Sequence, residues 1–249
     1  AARLAKKING EIINADSMQV YKELKILTAR PIIKKKEKIK HHLYGIQSVR
    51  KNFSTGIWLK LVIKKIREIH KKNKIPIVVG GTGLYFKALT DGLVVIPNIS
   101  KKKRFQIRNM QKKIGQKKFY QKLIKLDPLV RNKINFNDVQ RSIRAFEIKK
   151  FTRISITKWF QRTKVLFDMD SFIKIYIDFS RTDLLERIIR RVDKMFQEGA
   201  VKEVKKFNRL KLKKENSANK VIGIEEIRKY LKGETDLSKA KEKIFIKTR

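Results

Sequence analysis

The chain has 249 residues, 41% of them hydrophobic, which is enough to bury a core and excludes a fully disordered chain. Lys and Arg number 64 against 23 Asp and Glu, a net charge of +41, so a polyanionic partner is expected: nucleic acid first, an anionic membrane second. The absence of Cys excludes disulfides, thiolate metal sites and Cys nucleophiles, and 3 His argue against a His-rich metal site.

A compositional reading of the charge stands beside the functional one, because much of the excess is Lys accompanied by Ile and Asn, as AT-rich coding would produce. No apolar run reaches the about 18 residues of a membrane-spanning helix. The start, AARLAKKING, lacks the apolar core of a signal peptide. A cytoplasmic or organelle-matrix protein with no membrane partner is expected. The sequence opens on Ala1 in mid-pattern and closes on AKEKIFIKTR with no helix stop, so it reads as an internal piece of a longer protein.

Residues 1–8 read as the last turns of a helix, with Leu4 and Ile8 four apart. Gly10 is followed by a short β-prone run over residues 11–15 that ends at Asp16-Ser17. A helix is expected over residues 54–72, with Ser54 as N-cap and Trp58, Val62, Ile66 and Ile69 recurring at helical spacing. Ile75-Pro76-Ile77-Val78-Val79 is a buried-strand run that stops at Gly80-Gly81-Thr82-Gly83, and a helix pattern follows from Leu84 to Leu89. Strand, Gly-rich turn, helix is the βα grammar of a parallel sheet with helices on its faces.

After Pro97 the grammar changes. Residues 100–157 carry no strand-like run, only basic amphipathic stretches such as KKKRFQIRNMQKKIGQKKFYQKLIKL. Strand character returns at residues 173–178. Leu184, Leu185, Ile188, Val192, Met195 and Phe196 then form a helical stripe, and the chain is helical again from about residue 217. The expected organisation is an α/β core over residues 1–97 and 165–249, interrupted by a helical basic insertion over residues 98–164.

Asp16, just past a strand's C-terminal edge, stands where open α/β sheets bind ligands, and its carboxylate could act as a base or hold a metal. The structural alternative is a helix N-cap. Gly80 to Gly83 permit close backbone approach and open a helix whose N–H groups could meet a phosphate, or they make a tight structural turn. No Walker A sequence occurs. Gln140, Arg144 and Glu147 share a helix face beside the apolar stripe Val139, Ile143 and Phe146, which suits RNA contact or a solvated face. Arg187 and Arg191 lie one turn apart with Arg190 beside them. They could clamp a diphosphate or form an ion-pair row with Glu186 and Asp193. His41-His42 has no partner at ligand spacing and reads as structural.

Six segments in order, GEIINADSMQVYKELKILTARP, HHLYGI, PIVVGGTGLYFKAL, DVQRSIRAFEI, RIIRRVDKMFQEGAVKEV and KVIGIEEIRKYLKGE, resemble successive blocks of the bacterial tRNA dimethylallyltransferases, also called isopentenyl-tRNA transferases. The resemblance implies a P-loop-type α/β core with a mostly helical insertion that grips the tRNA anticodon stem-loop. It implies transfer of a dimethylallyl group from dimethylallyl diphosphate to the exocyclic amine of the adenosine 3′ of the anticodon, assisted by Mg²⁺; a monomer is expected.

By the resemblance Asp16 is the general base within the tRNA-contacting stretch Asp16-Ser17-Met18-Gln19, and Thr82 is the active-site threonine that contacts the target nucleotide. Arg104 matches a second tRNA-contact position. Gln140, Arg141, Ser142, Ile143 and Arg144 match a tRNA-contacting segment, and Arg187 and Arg191 are candidates for the diphosphate. The family's opening phosphate-binding loop, ending in Gly-Lys-Ser or Gly-Lys-Thr, has no counterpart in residues 1–249, so this stretch alone is expected to be inactive. The basic aromatic segment that follows the Thr248-Arg249 equivalent is also missing. A non-catalytic RNA-binding protein, an adenine-nucleotide dimethylallyltransferase and a P-loop kinase are the alternatives.

Overall fold

The computed structural model describes residues 1–32 and 39–249. It divides into two units, Ala1–Lys87 with Phe172–Arg249, and Ala88–Ser171. The first unit opens with a short helix, α1 (Ala2–Lys7), that leads into strand β1 (Gly10–Asn14). Next come β2 (His41–His42), helix α2 (Thr55–His70), β3 (Ile75–Val79) and α3 (Gly83–Thr90), inside which the unit boundary falls.

The strands form a parallel sheet in the order β2-β1-β3. In register, Ile12 stands opposite His41 and Ile77, and Asn14 opposite Val79. Central β1 is buried along its whole length, as a parallel strand covered on both faces must be. Trp58, Val62, Ile66 and Ile69 all turn inward from α2, as their spacing predicts. The Ser54 hydroxyl accepts the Ile57 N–H at the start of that helix. Trp58 fastens α2 to the sheet and to α3: its indole N–H donates to the Asn14 carbonyl of β1 at 2.8 Å, and its ring stacks on Tyr85 of α3 at 4.2 Å.

The same unit resumes with α7 (Arg181–Gln197), α8 (Ala200–Asn208), α9 (Ile224–Leu231) and α10 (Leu237–Thr248). Ile188, Val192 and Met195 of α7 join Val204, Phe207, Ile224, Ile227 and Ile244 in a core completed by Val20, Tyr21, Leu24 and Leu27 from the segment after β1. Residues 173–178, expected as a strand, are not one. They pair with no strand among the described residues, and Ile173 and Tyr176 are 93% and 88% exposed. Apolar, β-branched content favours an extended chain, but a strand exists only where a neighbour accepts its ladder hydrogen bonds.

In the second unit α4 (Lys101–Leu126) packs on α5 (Val139–Thr152), followed by α6 (Ile156–Gln161). Helix α4 is kinked at Gly115, whose φ of +74° suits a residue without Cβ. Phe119, Leu123, Val130, Ala145, Phe146 and Ile148 form this unit's core. The Asp138 carboxylate caps α5 by accepting the Arg141 N–H at 2.9 Å. No helix among the described residues is long and apolar enough to cross a membrane.

Candidate active site

Strands β1 and β3 are parallel neighbours, so the turns that leave their C-terminal ends meet at one edge of the sheet. From β1 the chain passes through Ala15 to Asp16. No helix follows, so Asp16 is not a helix cap. Its Oδ1 instead accepts the N–H groups of Met18 and Gln19 at 2.7 and 3.2 Å, fixing a turn. Oδ2 makes no hydrogen bond among the described residues. The Asn14 amide braces the turn, donating to the Asp16 and Leu43 carbonyls while its oxygen accepts the Asp16 N–H at 2.9 Å.

From β3 the chain enters the Gly80 to Gly83 turn. A Cβ on Gly80 would lie 2.2 Å from the Ala15 carbonyl carbon, so only glycine lets this backbone come so close to the Asp16 turn. The Thr82 N–H donates to the Ala15 carbonyl at 3.2 Å. Its hydroxyl accepts the Ser17 N–H at 2.9 Å and donates to Ser17 Oγ. Asp16, Ser17 and Thr82, read from separate stretches of sequence, are one cluster.

Asp16 and Met18 line a cavity of about 270 Å³ with Leu27, Val192, Met195, Val221, Ile222 and Ile244. Arg191, Lys220, Thr28 and Thr248 complete it. One carboxylate, two cations and a largely apolar wall therefore share one space. Arg187 is not part of that lining: its guanidinium lies 4.1 Å from the centre of the Phe179 ring. Arg190 pairs with Glu186 at 3.0 Å, while Asp193 pairs with Lys241.

Gln19 is committed to the protein, its amide donating to the carbonyls of Thr28 and Ala29. That segment is held in turn by Glu203 of α8. The Glu203 carboxylate accepts the N–H groups of Lys25, Ile26 and Leu27 at 2.7, 2.8 and 3.0 Å. Burial raises the Tyr44 and Tyr85 phenols above their usual value, and Asp16 adds to both shifts. The roles of Lys220 and Glu203 escape a reading of the sequence. Glu203 and Lys220 lie in or at the edge of blocks that carry the resemblance, but nothing local gives either a role.

In the second unit Gln140 and Arg141 are exposed on the first turn of α5. Ser142 is fully buried and its Oγ accepts from Gln116, and Ile143 packs into the core. Arg104 and Arg144 come together on Glu147, each with a nitrogen 3.3 Å from Oε2. Glu147 itself is buried rather than on a solvated face.

The described residues contain no group of three or more His, Cys, Asp or Glu that could hold a metal ion. A protein usually holds Mg²⁺ through one or two carboxylates together with substrate phosphates and water, so Asp16 Oδ2 could supply one ligand to an ion carried by the diphosphate, which would complete the set.

The fold and site define a mixed α/β protein with a sheet-edge carboxylate facing a cation-bearing cavity, joined to a basic helical unit. The signature of the IPP transferase family matches residues 19–249, and the chain belongs to that family. It is 57% identical over 249 residues to a tRNA dimethylallyltransferase of Pelagibacter ubique, covering all of this chain and 80% of that protein. The crystal structure of the full-length tRNA isopentenylpyrophosphate transferase of Bacillus halodurans superposes with a TM-score of 0.67 at 31% identity, covering 99% of this chain and 77% of that one. A eukaryotic dimethylallyltransferase acting on tRNA gives a TM-score of 0.83 at 28% identity, covering 99% and 62%.

Proposed function

We propose that this protein transfers a dimethylallyl group from dimethylallyl diphosphate to the exocyclic N6 amine of the adenosine 3′ of the anticodon in tRNA. The observation that carries the reading is Asp16: its Oδ2 has no hydrogen-bond partner among the described residues and stands at a cavity that also presents Arg191 and Lys220. Membership in the IPP transferase family supports the same chemistry.

An adenine amine is a weak nucleophile because its lone pair is delocalised into the ring. As the N6–C1 bond forms and the allylic C1–O bond breaks, the N6 proton passes to Asp16 Oδ2, and the electron pair of the C–O bond leaves on diphosphate. A positioned base of this kind contributes roughly 10²–10⁴-fold. Arg191 and Lys220 offset the charge that builds on the leaving oxygens. Leu27, Val192, Met195, Val221, Ile222 and Ile244 give the branched five-carbon chain an apolar wall and keep water from the allylic carbon. The target base must leave its stack, at a cost of a few kcal/mol, which phosphate contacts to the basic helical unit offset. Magnesium, expected from the resemblance, would neutralise diphosphate charge when bound. Asp16 would hold it together with the diphosphate oxygens, and no step here depends on it.

The test is to incubate the full-length protein with dimethylallyl diphosphate and an anticodon stem-loop and to digest the RNA to nucleosides. Prenylated adenosine from the position 3′ of the anticodon is the expected product. Prenylation of free adenine nucleotide with none of the stem-loop would overturn the tRNA assignment.

A further inference from the structure

Glu147 is the point on which three arginines of the second unit converge. Arg104 Nε and Arg144 Nη1 each lie 3.3 Å from Oε2, and Arg108 Nε lies 4.0 Å from Oε1. The Glu147 side chain is 1% exposed, whereas those of Arg104, Arg108 and Arg144 are 42%, 46% and 38% exposed. Three positive charges against one negative leave a surplus of two at the surface. Only Arg144 Nη1 donates a hydrogen bond to the carboxylate; Arg104 Nε and Arg108 Nε are held to it by charge alone, and the remaining N–H groups of the three guanidinium groups, like Glu147 Oε1, have no hydrogen-bond partner among the described residues. The arginines come from two helices, Arg104 and Arg108 one turn apart on α4 and Arg144 on α5. A buried anion beneath them offsets part of their mutual repulsion and draws them to one point.

We infer that Glu147 is a positioning residue that holds Arg104, Arg108 and Arg144 as one clamp for a backbone phosphate of RNA, with Arg108 as its third binding member. A phosphate presents several oxygens to planar guanidinium forks, and forks already oriented lose less entropy on binding than free side chains. The neighbourhood favours a polyanion over an isolated anion. Helix α4 carries Lys and Arg along its length and contains no Asp or Glu. The clamp rests on the reading of this protein as a tRNA-modifying enzyme and adds how the RNA is gripped.

The charge argument gives the test a distinctive sign. Glu147→Gln preserves shape and removes one negative charge. If the arginines act only as diffuse positive charge, RNA binds more tightly. If Glu147 orders them, RNA binds about tenfold more weakly although the protein has become more basic. Full-length wild type, Glu147→Gln and Arg108→Lys are titrated with an anticodon stem-loop over a series of salt concentrations, and prenylation is followed in parallel. The clamp predicts raised KM for RNA with kcat little changed in both variants. Arg108→Lys keeps its charge but loses the fork, so it weakens binding as well. Circular dichroism and thermal melts establish that the variants are folded. Should Glu147→Gln not fold, Arg108→Lys decides the matter. Unchanged or tighter binding by a folded variant overturns the clamp and leaves the tRNA reading standing if wild type prenylates the stem-loop. A wild type that neither binds nor prenylates the stem-loop overturns both.

Discussion

Thr82 Oγ1 accepts the backbone N–H of Ser17 at 2.9 Å, across 65 residues of sequence. This bond ties the turn after β3 to the turn after β1, and the Thr82 N–H reinforces it by donating to Ala15. The Asp16 carboxylate is thereby fixed by its own turn and by a neighbouring strand's turn. A proton acceptor gains from such pre-organisation, because no side-chain entropy remains to be lost when substrate arrives.

Asp16→Asn keeps the size of the side chain and an oxygen able to accept from Met18 and Gln19, so the turn should survive. It removes the proton acceptor. Turnover should fall by roughly 10²–10⁴-fold while stem-loop affinity stays the same. A single-turnover rate within about threefold of wild type would remove Asp16 from the role of base.

Gly80→Ala tests how closely the two turns pack. The new methyl would meet backbone, 2.2 Å from the Ala15 carbonyl carbon, and backbone cannot swing aside as a side chain can. A loss of about 1–3 kcal/mol in urea unfolding is expected, with a larger relative loss of turnover because Asp16 moves with Ala15. Stability equal to wild type would mean that the turns tolerate a looser approach.

Glu203 accepts three backbone N–H groups, and the segment it holds carries the carbonyls that anchor Gln19. Glu203→Ala should cost about 1–3 kcal/mol and speed hydrogen exchange at the amides of residues 25–27, with Glu203→Gln intermediate. Exchange as slow as in wild type would show that the segment is held by its other contacts.

Glu11 is buried in β1 between His42 Nε2 at 2.7 Å and Lys74 Nζ at 3.0 Å. Burial alone would raise its carboxyl, but hydrogen bonds from His42 and Lys74 and their charges outweigh that and hold it below its ordinary value of 4.5. A carboxyl lower in the folded than in the unfolded state contributes stability that is fully present above the unfolded value and lost as pH falls through the folded one. Denaturant midpoints measured downward from pH 6 should therefore drop below about pH 4.5, and Glu11→Gln should flatten that acid limb while lowering stability at pH 6. An unchanged acid limb in the variant would assign the loss to other carboxylates.

Much of the α/β core is legible residue by residue. The spacing of Trp58, Val62, Ile66 and Ile69 gives α2 and its buried face, and Ile75 to Val79 gives β3 at its true bounds. Asp16 and Thr82 stand out because a short apolar run followed by a turn marks the end of a strand, which is a local pattern. Strand β2 is not legible. His41 and His42 become a strand only because Ile12 and Ile13 pair with them. The converse error falls on residues 173–178, which have strand composition but no ladder partner among the described residues.

Sequence by itself determined most of the helical segments, though not α8, the end of β3 and, to within one residue, that of β1, how basic the chain is and which family's blocks it carries. Periodicity, capping and charge are properties of neighbours along the chain. Only the tertiary structure decided that Asp16 and Arg191 line one cavity and that Arg187 lies over Phe179 instead. It alone placed Glu147 in the interior beneath three arginines. Each of those facts depends on side chains distant in sequence meeting in space, and no spacing along a chain records which of many exposed cations will share a partner.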